Sequence, residues 1–228
     1  MAEFFVAELF SSINGEGVKA GQLAVFVRFA GCNLNCVYCD TAWANQKETS
    51  YRIMEEQEIL KEIQKTGITN ITLTGGEPLQ REGIKELLYQ LLSVRDFFVE
   101  IETNGSIALK DYQEFTRQNN VLERLTFTMD YKLPQSGMEQ EMCLENLKVL
   151  TAKDTIKFVC SDKKDLQRAE EIIKDYHLTE RCHVYFSPVF GKIDPAEIVE
   201  FMKERRLNGV NLQLQLHKYI WNPEQRGV

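Results

Sequence analysis

What most constrains the fold of this chain is a rhythm. Short runs of β-forming residues recur along it: Leu23–Phe29, Asn70–Thr74, Phe97–Glu102, Arg124–Asp130, Thr155–Cys160, His183–Pro188 and Val210–Leu216. Segments with helical periodicity separate most of them, at Met54–Thr66, Ile84–Leu92, Asp162–Tyr176 and Pro195–Arg206. In the last, Asp194 is placed to cap the helix and Pro195 to occupy its first turn. Strands alternating with helices build parallel βαβ units, which predicts an α/β fold. Six or seven strands fall short of the eight in a closed (β/α) barrel. The expected architecture is therefore a partial (β/α) barrel of about six strand–helix units. No low-complexity linker divides the 228 residues, so a single domain over 1–228 is expected.

The residues that follow each run carry the chemistry. After "LAVFVRF" come three cysteines, after "NITLT" comes "GGEP", after "FFVEIE" comes "TNG", and after "RLTFTM" comes "DYK". In parallel α/β folds ligands bind outside the carboxyl ends of the strands. The polar and metal-binding residues are thus predicted to share one rim.

Bulk properties exclude some classes. A formal net charge of −7 argues against a general nucleic-acid surface. No apolar run approaches the roughly 20 residues a bilayer crossing needs. The start, "MAEFFVAELFSS", has early acids and no basic segment, unlike a signal peptide, so a cytoplasmic location is expected.

Half of the six cysteines, Cys32, Cys36 and Cys39, fall in "GCNLNCVYCDTAW" at C-x3-C-x2-C spacing. Cys143, Cys160 and Cys182 stand alone and read as packing residues. Three thiolates this close suit one zinc, or three irons of a 4Fe–4S cluster. A closed zinc site wants a fourth ligand, yet His177, His183 and His217 are distant and have no paired partner. A cubane held by three cysteines leaves one iron free for a small molecule.

The cysteine spacing, with Tyr38 before Cys39 and "TGGEPL" after the next strand, resembles the radical S-adenosylmethionine (SAM) superfamily. There the methionyl amine and carboxylate chelate the open iron, and one electron passed to the sulfonium yields a 5′-deoxyadenosyl radical. Glycines at Gly75 and Gly76 let backbone approach a ligand closely, and Glu77 could accept a hydrogen bond from the methionyl ammonium.

Further stretches narrow the match. "SINGEG", "FVRFAGCNLNCVYCDT", "TGGEPLQ", "ETNG" and "QLHKYIW", spread from residue 12 to residue 221, resemble the 7-carboxy-7-deazaguanine synthase family. That resemblance implies a ring-contracting lyase that turns 6-carboxy-5,6,7,8-tetrahydropterin into 7-carboxy-7-deazaguanine with loss of ammonia, on the route to queuosine. It implies a 4Fe–4S cluster, SAM and Mg2+, a pterin substrate, an electron donor such as flavodoxin or ferredoxin, and a homodimer. It assigns Cys32, Cys36 and Cys39 to the cluster and Thr41, with Asp40 beside it, to Mg2+. Asn14, Glu16, Arg28, Thr74 and His217 would meet substrate. Tyr38, Gly75, Gly76, Glu77, Glu102, Thr103, Asn104, Lys132, Ser161 and Ser187 would hold SAM. The N-terminal segment 1–22 and the tail 211–228 would help close the substrate pocket.

Three departures stand out. Asn14 replaces a glutamine found in many members, Asp130-Tyr131-Lys132 replaces a Ser-Pro-Lys pattern, and the tail runs on past Trp221 to Val228. The "DYK" stretch resembles glycyl-radical activating enzymes, which remain the rival enzyme. The rival from another class is a non-catalytic iron–sulfur or zinc module, which would leave "GGEP" and "ETNG" without a role.

Overall fold

The computed structural model describes residues 2–228. Its strands are β1 (Glu3–Ile13), β2 (Leu23–Phe29), β3 (Arg52–Glu55), β4 (Asn70–Gly75), β5 (Phe98–Thr103), β6 (Leu125–Tyr131), β7 (Thr155–Cys160), β8 (His183–Pro188) and β9 (Val210–Leu212). Its helices are α1 (Glu56–Thr66), α2 (Ile84–Ser93), α3 (Lys110–Gln118), α4 (Asn146–Val149), α5 (Lys163–Asp175), α6 (Pro195–Arg205) and α7 (His217–Ile220). All nine strands join one sheet in the order β3-β1-β2-β4-β5-β6-β7-β8-β9. From β2 to β9 every neighbour is parallel, while β1 pairs antiparallel with both β2 and β3. The sheet is open, with β3 and β9 at its two edges. This is the α/β architecture expected, extended by an antiparallel pair.

The rhythm of the sequence translates into alternation across the sheet. Val25, Val27, Phe29, Ile71, Leu73, Val99, Ile101, Phe127, Ile156, Phe158 and Phe186 are buried in one apolar cluster with helix residues such as Ile59, Leu88, Leu91, Ile173 and Ile198. The intervening residues include Arg28, Thr72, Thr74, Glu100, Glu102, Thr128, Asp130 and Lys157, which side-chain period two sends to the opposite face. One face of the sheet is thus a dry core under helices, and the other is a polar wall.

Helix ends follow local chemistry. Asp194 caps α6 by accepting from Ala196 N at 2.9 Å, as the sequence predicts. Asp162 caps α5 through Asp165 N at 3.0 Å. The α1 helix begins later than its periodicity suggests, because Met54 is a buried residue of β3 and Glu55 forms a capping box with Glu58. The last predicted strand also ends early, at Leu212, after which Gln213 N donates to Phe186 O at 2.8 Å and the chain turns toward α7. The β1 and β3 strands and the α3 helix add to the elements predicted from the sequence.

Candidate active site

The carboxyl ends of the parallel strands collect the motifs on one rim. The loop after β2 carries the three cysteines, all free and half-buried. Two hydrogen bonds converge on Cys32 Sγ, from Leu34 N at 3.4 Å and from Asn104 Nδ2 at 3.5 Å. Such donors favour a thiolate, whereas burial by itself pushes the Cys32 and Cys36 thiols up. Asn104 also joins Asn33 and Ser106, so the end of β5 is tied to the cysteine loop. Tyr38 reaches the other way, its hydroxyl donating to Val159 O on β7 at 3.1 Å. Among the described residues no three ligating side chains are gathered as a metal site, so the fit to a 4Fe–4S cluster rests on the chemistry of the donors, three half-buried thiols on one loop.

The "GGEP" turn packs directly on that loop. A Cβ at Gly75 would lie 2.2 Å from Phe29 O, and one at Gly76 would lie 1.8 Å from Gly31 O. These glycines are therefore required by contact between two loops before any ligand is considered. Gly31 O accepts from Glu77 N at 3.2 Å and from Arg81 Nη2 at 2.9 Å, which clasps the two turns together.

Glu77 is fully buried, and its carboxylate is already engaged by the chain itself. Oε1 accepts from Leu79 N at 3.0 Å and Thr103 Oγ1 at 2.9 Å, while Oε2 accepts from Asn104 N at 2.7 Å. This geometry makes Glu77 a brace between the ends of β4 and β5. Ser161 is similarly committed: its amide and hydroxyl both donate to Asp165 at 2.9 Å. Ser187 is buried on β8.

The polar wall holds the remaining candidates. Thr74 Oγ1 donates to Glu102 Oε2 at 2.6 Å. Burial pushes the Glu102 carboxyl up to about 7, with Lys157 opposing the rise. Thr128 donates to Glu100 at 2.5 Å, and Thr72 donates to Asn14 Oδ1 at 2.8 Å. Arg28 pairs with Glu8 of β1 at 3.1 Å and lies over the Phe10 ring. Five polar atoms here are buried without a hydrogen-bond partner among the described residues: Ser12 Oγ, Asn14 Nδ2, Glu16 Oε1, Glu100 Oε2 and Asp130 Oδ1, the last meeting Lys157 only as an ion pair. Desolvated and unpaired donors and acceptors of this kind are expected where a polar ligand supplies the missing bonds.

The two ends of the chain meet over this wall. Gln213, buried just past β9, accepts from Gly17 N at 2.9 Å and donates to Gly17 O at 3.4 Å. Leu216 N donates to Gly15 O at 3.2 Å. His217 opens α7 beside Gly15; burial lowers its pKa, with Glu16 opposing. Arg226 of the tail lies 4.0 Å over the Trp43 ring, against the cysteine loop. Asp40 Oδ2 accepts from Gln215 Nε2 at 3.4 Å, and Thr41 Oγ1 lies 3.6 Å from Cys39 Sγ.

Three residues escaped sequence reasoning: Lys157, Gln213 and Arg81. Lys157 joins Glu16 and lies 3.1 Å from Asp130 Oδ1, which in turn pairs through Oδ2 with Lys132 at 3.1 Å. Its signal was a lysine in the middle of the apolar run "TIKFVC", just as Glu100 interrupts "FFVEIE".

Comparisons with known proteins give the family. The radical SAM superfamily pattern matches residues 26–204. A 7-carboxy-7-deazaguanine synthase of Clostridium acetobutylicum is 55% identical over 223 residues, covering 98% of each chain. One from Leptospira interrogans is 36% identical, covering 98% of this chain and 97% of its own. This chain belongs to the 7-carboxy-7-deazaguanine synthase family. It is a radical SAM enzyme, and that membership brings a 4Fe–4S cluster and SAM as cofactors. The fold is shared with the crystal structure of QueE from Escherichia coli, at a TM-score of 0.69, 20% identity, and 93% and 94% coverage of the two chains. No helix among the described residues is long and apolar enough to cross a membrane.

Proposed function

We propose that this enzyme converts 6-carboxy-5,6,7,8-tetrahydropterin to 7-carboxy-7-deazaguanine with loss of ammonia; the names of its relatives give the product, and the resemblance of its motifs implies the pterin substrate. The observation that carries the substrate side is the pairing of a buried unpaired donor, Asn14 Nδ2, with a buried unpaired acceptor, Glu16 Oε1, in one short segment. The guanidine-like edge of a pterin offers N–H donors beside a carbonyl acceptor, the complement of that pair.

Cys32, Cys36 and Cys39 would hold the cluster, leaving one iron for the methionyl group. When bound, the cluster and SAM supply a radical that takes a hydrogen atom from the substrate carbon bearing the carboxylate. Everything else falls to side chains. The Gly75–Gly76 backbone and Lys132 receive the methionyl amine and carboxylate, and Glu77 fixes the turn that presents them. Glu102, Thr103 and Asn104 stand at the end of β5, within reach of the ribose and sulfonium. Tyr38, Ser161 and Ser187 line the same side and shape it.

Glu16, Asn14 and Thr74 orient the pterin, while Arg28 and His217 close around it. Thr41, with Asp40 beside it, would place Mg2+ against the substrate carboxylate, since Mg2+ takes oxygen ligands and keeps open positions. The segment 1–22, whose first residue lies outside the described residues, and the tail 211–228 would help close the pocket, a reading supported by the Gly17–Gln213 and Gly15–Leu216 contacts, and so would exclude water from radical chemistry. The same reading brings a homodimer, a cytoplasmic location, and a one-electron donor such as flavodoxin or ferredoxin.

The test is turnover by the anaerobically reconstituted enzyme with dithionite, SAM and the carboxypterin. The expected result is 7-carboxy-7-deazaguanine and ammonia. Release of 5′-deoxyadenosine without deazaguanine would point to a glycyl-radical activase, and absence of SAM cleavage to a non-catalytic module.

A further inference from the structure

The polar wall contains an alternating chain of four charges whose ends lie in two different subsites. Glu16, in the segment assigned to the pterin, pairs with Lys157 of β7. Lys157 Nζ stands 3.1 Å from Asp130 Oδ1, and Asp130 Oδ2 stands 3.1 Å from Lys132, the residue assigned to the methionyl carboxylate. The side chains of Glu16 and Lys157 are only 10% and 8% exposed, so these charges interact with little solvent screening. Burial works against the charge on Lys157, yet Asp130 and Glu16 overcome it and hold the ammonium charged. Asp130 behaves as its mirror: burial would raise its pKa, and Lys132 and Lys157 bring it below the ordinary carboxylate range.

Each interior member has two partners of opposite sign, so a change at one end alters the balance at the other. A carboxylate arriving at Lys132 takes part of that ammonium's donor capacity away from Asp130. Asp130, less neutralised on its Oδ2 side, then attracts Lys157 more strongly. Lys157 drawn toward Asp130 leaves Glu16 Oε2 freer to accept from a ligand, alongside Oε1, which is already buried and unpaired.

We propose that Lys157 and Asp130 are positioning residues that couple the two subsites, so that SAM bound at Lys132 makes Glu16 a better acceptor for the pterin. This rests on the functional reading above. Linkage makes the effect reciprocal: the pterin must tighten SAM binding by the same factor.

The test is equilibrium binding of 6-carboxy-5,6,7,8-tetrahydropterin to the cluster-loaded enzyme, kept oxidised so that nothing turns over, with and without SAM. In the wild type the pterin Kd should fall about fivefold or more when SAM is present, the low end of ordinary coupling. Lys157→Met should bring that ratio to within about twofold of unity while SAM alone still binds. Because Lys157→Met leaves Glu16 without its cation, removes one of the two beside Asp130 and could fail to fold, Asp130→Asn provides the second variant. It cuts the chain in the middle, keeps the Lys157–Glu16 pair, and should also abolish the coupling. A wild-type Kd that ignores SAM, or full coupling retained in Asp130→Asn, overturns the inference and leaves the assigned function intact. Failure of the wild type to bind or convert the pterin would instead remove the functional reading and the inference with it.

Discussion

Replacing Glu77 by glutamine separates two roles that the motif alone cannot distinguish. The carboxylate accepts from Leu79 N and Thr103 Oγ1 at Oε1 and from Asn104 N at Oε2, all at 3.0 Å or less. A glutamine keeps the shape but turns one acceptor oxygen into an NH2 donor. If its carbonyl serves Leu79 and Thr103, the NH2 meets the Asn104 N–H, and a buried backbone donor loses its partner. Such a loss costs about 1–3 kcal/mol. The two remaining bonds also lose their charge assistance, while relief from burying a carboxylate, which raises the Glu77 pKa, offsets part of this. A net destabilisation of about 1–3 kcal/mol in a chain of this size lowers Tm by roughly 2–12 °C. Thermal unfolding of the metal-free protein, followed by circular dichroism, measures it without any ligand present. A Tm within about 1 °C of wild type, combined with loss of SAM binding in the loaded enzyme, would refute the brace and return Glu77 to direct contact with the methionyl ammonium.

Two further outcomes follow from the polar wall. Glu102 has a folded-state pKa of about 7 against an ordinary 4.5, so between those values the unfolded chain releases a proton that the folded chain keeps. Its contribution is therefore favourable at low pH and is lost as pH rises through 7. Glu102→Gln should gain up to about 3 kcal/mol relative to wild type between pH 4.5 and pH 7.5, less whatever the pocket solvent screens. Urea denaturation across that range reads the difference, and parallel pH profiles for the two proteins would contradict it. Gln213→Ala removes both hydrogen bonds to Gly17 and should raise the pterin KM about tenfold, one good hydrogen bond's worth, with kcat little changed. Steady-state kinetics at saturating SAM separates this from a general loss of folding, which would lower the active fraction and leave KM alone.

Much of the frame was legible because each parallel strand is a compact apolar run bounded by polar punctuation. Leu23–Phe29, Thr155–Cys160 and His183–Pro188 keep their predicted bounds for that reason. The β1 strand was harder to see because Glu3, Glu8 and two serines interrupt its apolar residues, and only Phe4 and Val6 are buried on the helix side. Alternation places Arg28 on the polar face, but its partner Glu8 comes from the antiparallel register of β1 on β2, which no local spacing encodes. The α3 helix, "KDYQEFTRQ", buries Tyr112, Gln113 and Thr116, a face too polar to register as apolar periodicity.

The candidate site was legible where residues cluster in sequence, as in the cysteine loop and "TGGEP". It was opaque where the fold joins distant segments. The Gly17–Gln213 clasp spans 196 residues and the Lys157–Glu16 pair spans 141, and neither leaves a local spacing to read. The roles of Gly75 and Gly76 also sharpened, from approach to a ligand into the tight contact of their turn with Phe29 and Gly31.

The central claim is that three cysteines leave one iron for SAM. Mössbauer spectroscopy of the reconstituted, 57Fe-enriched enzyme with and without SAM tests it most directly. The account predicts a 4Fe–4S cluster in which one iron of the four becomes distinct when SAM is added, gaining nitrogen and oxygen ligands that the other three lack. Four irons that stay equivalent and indifferent to SAM, or a site that takes up zinc and no cluster, would contradict it.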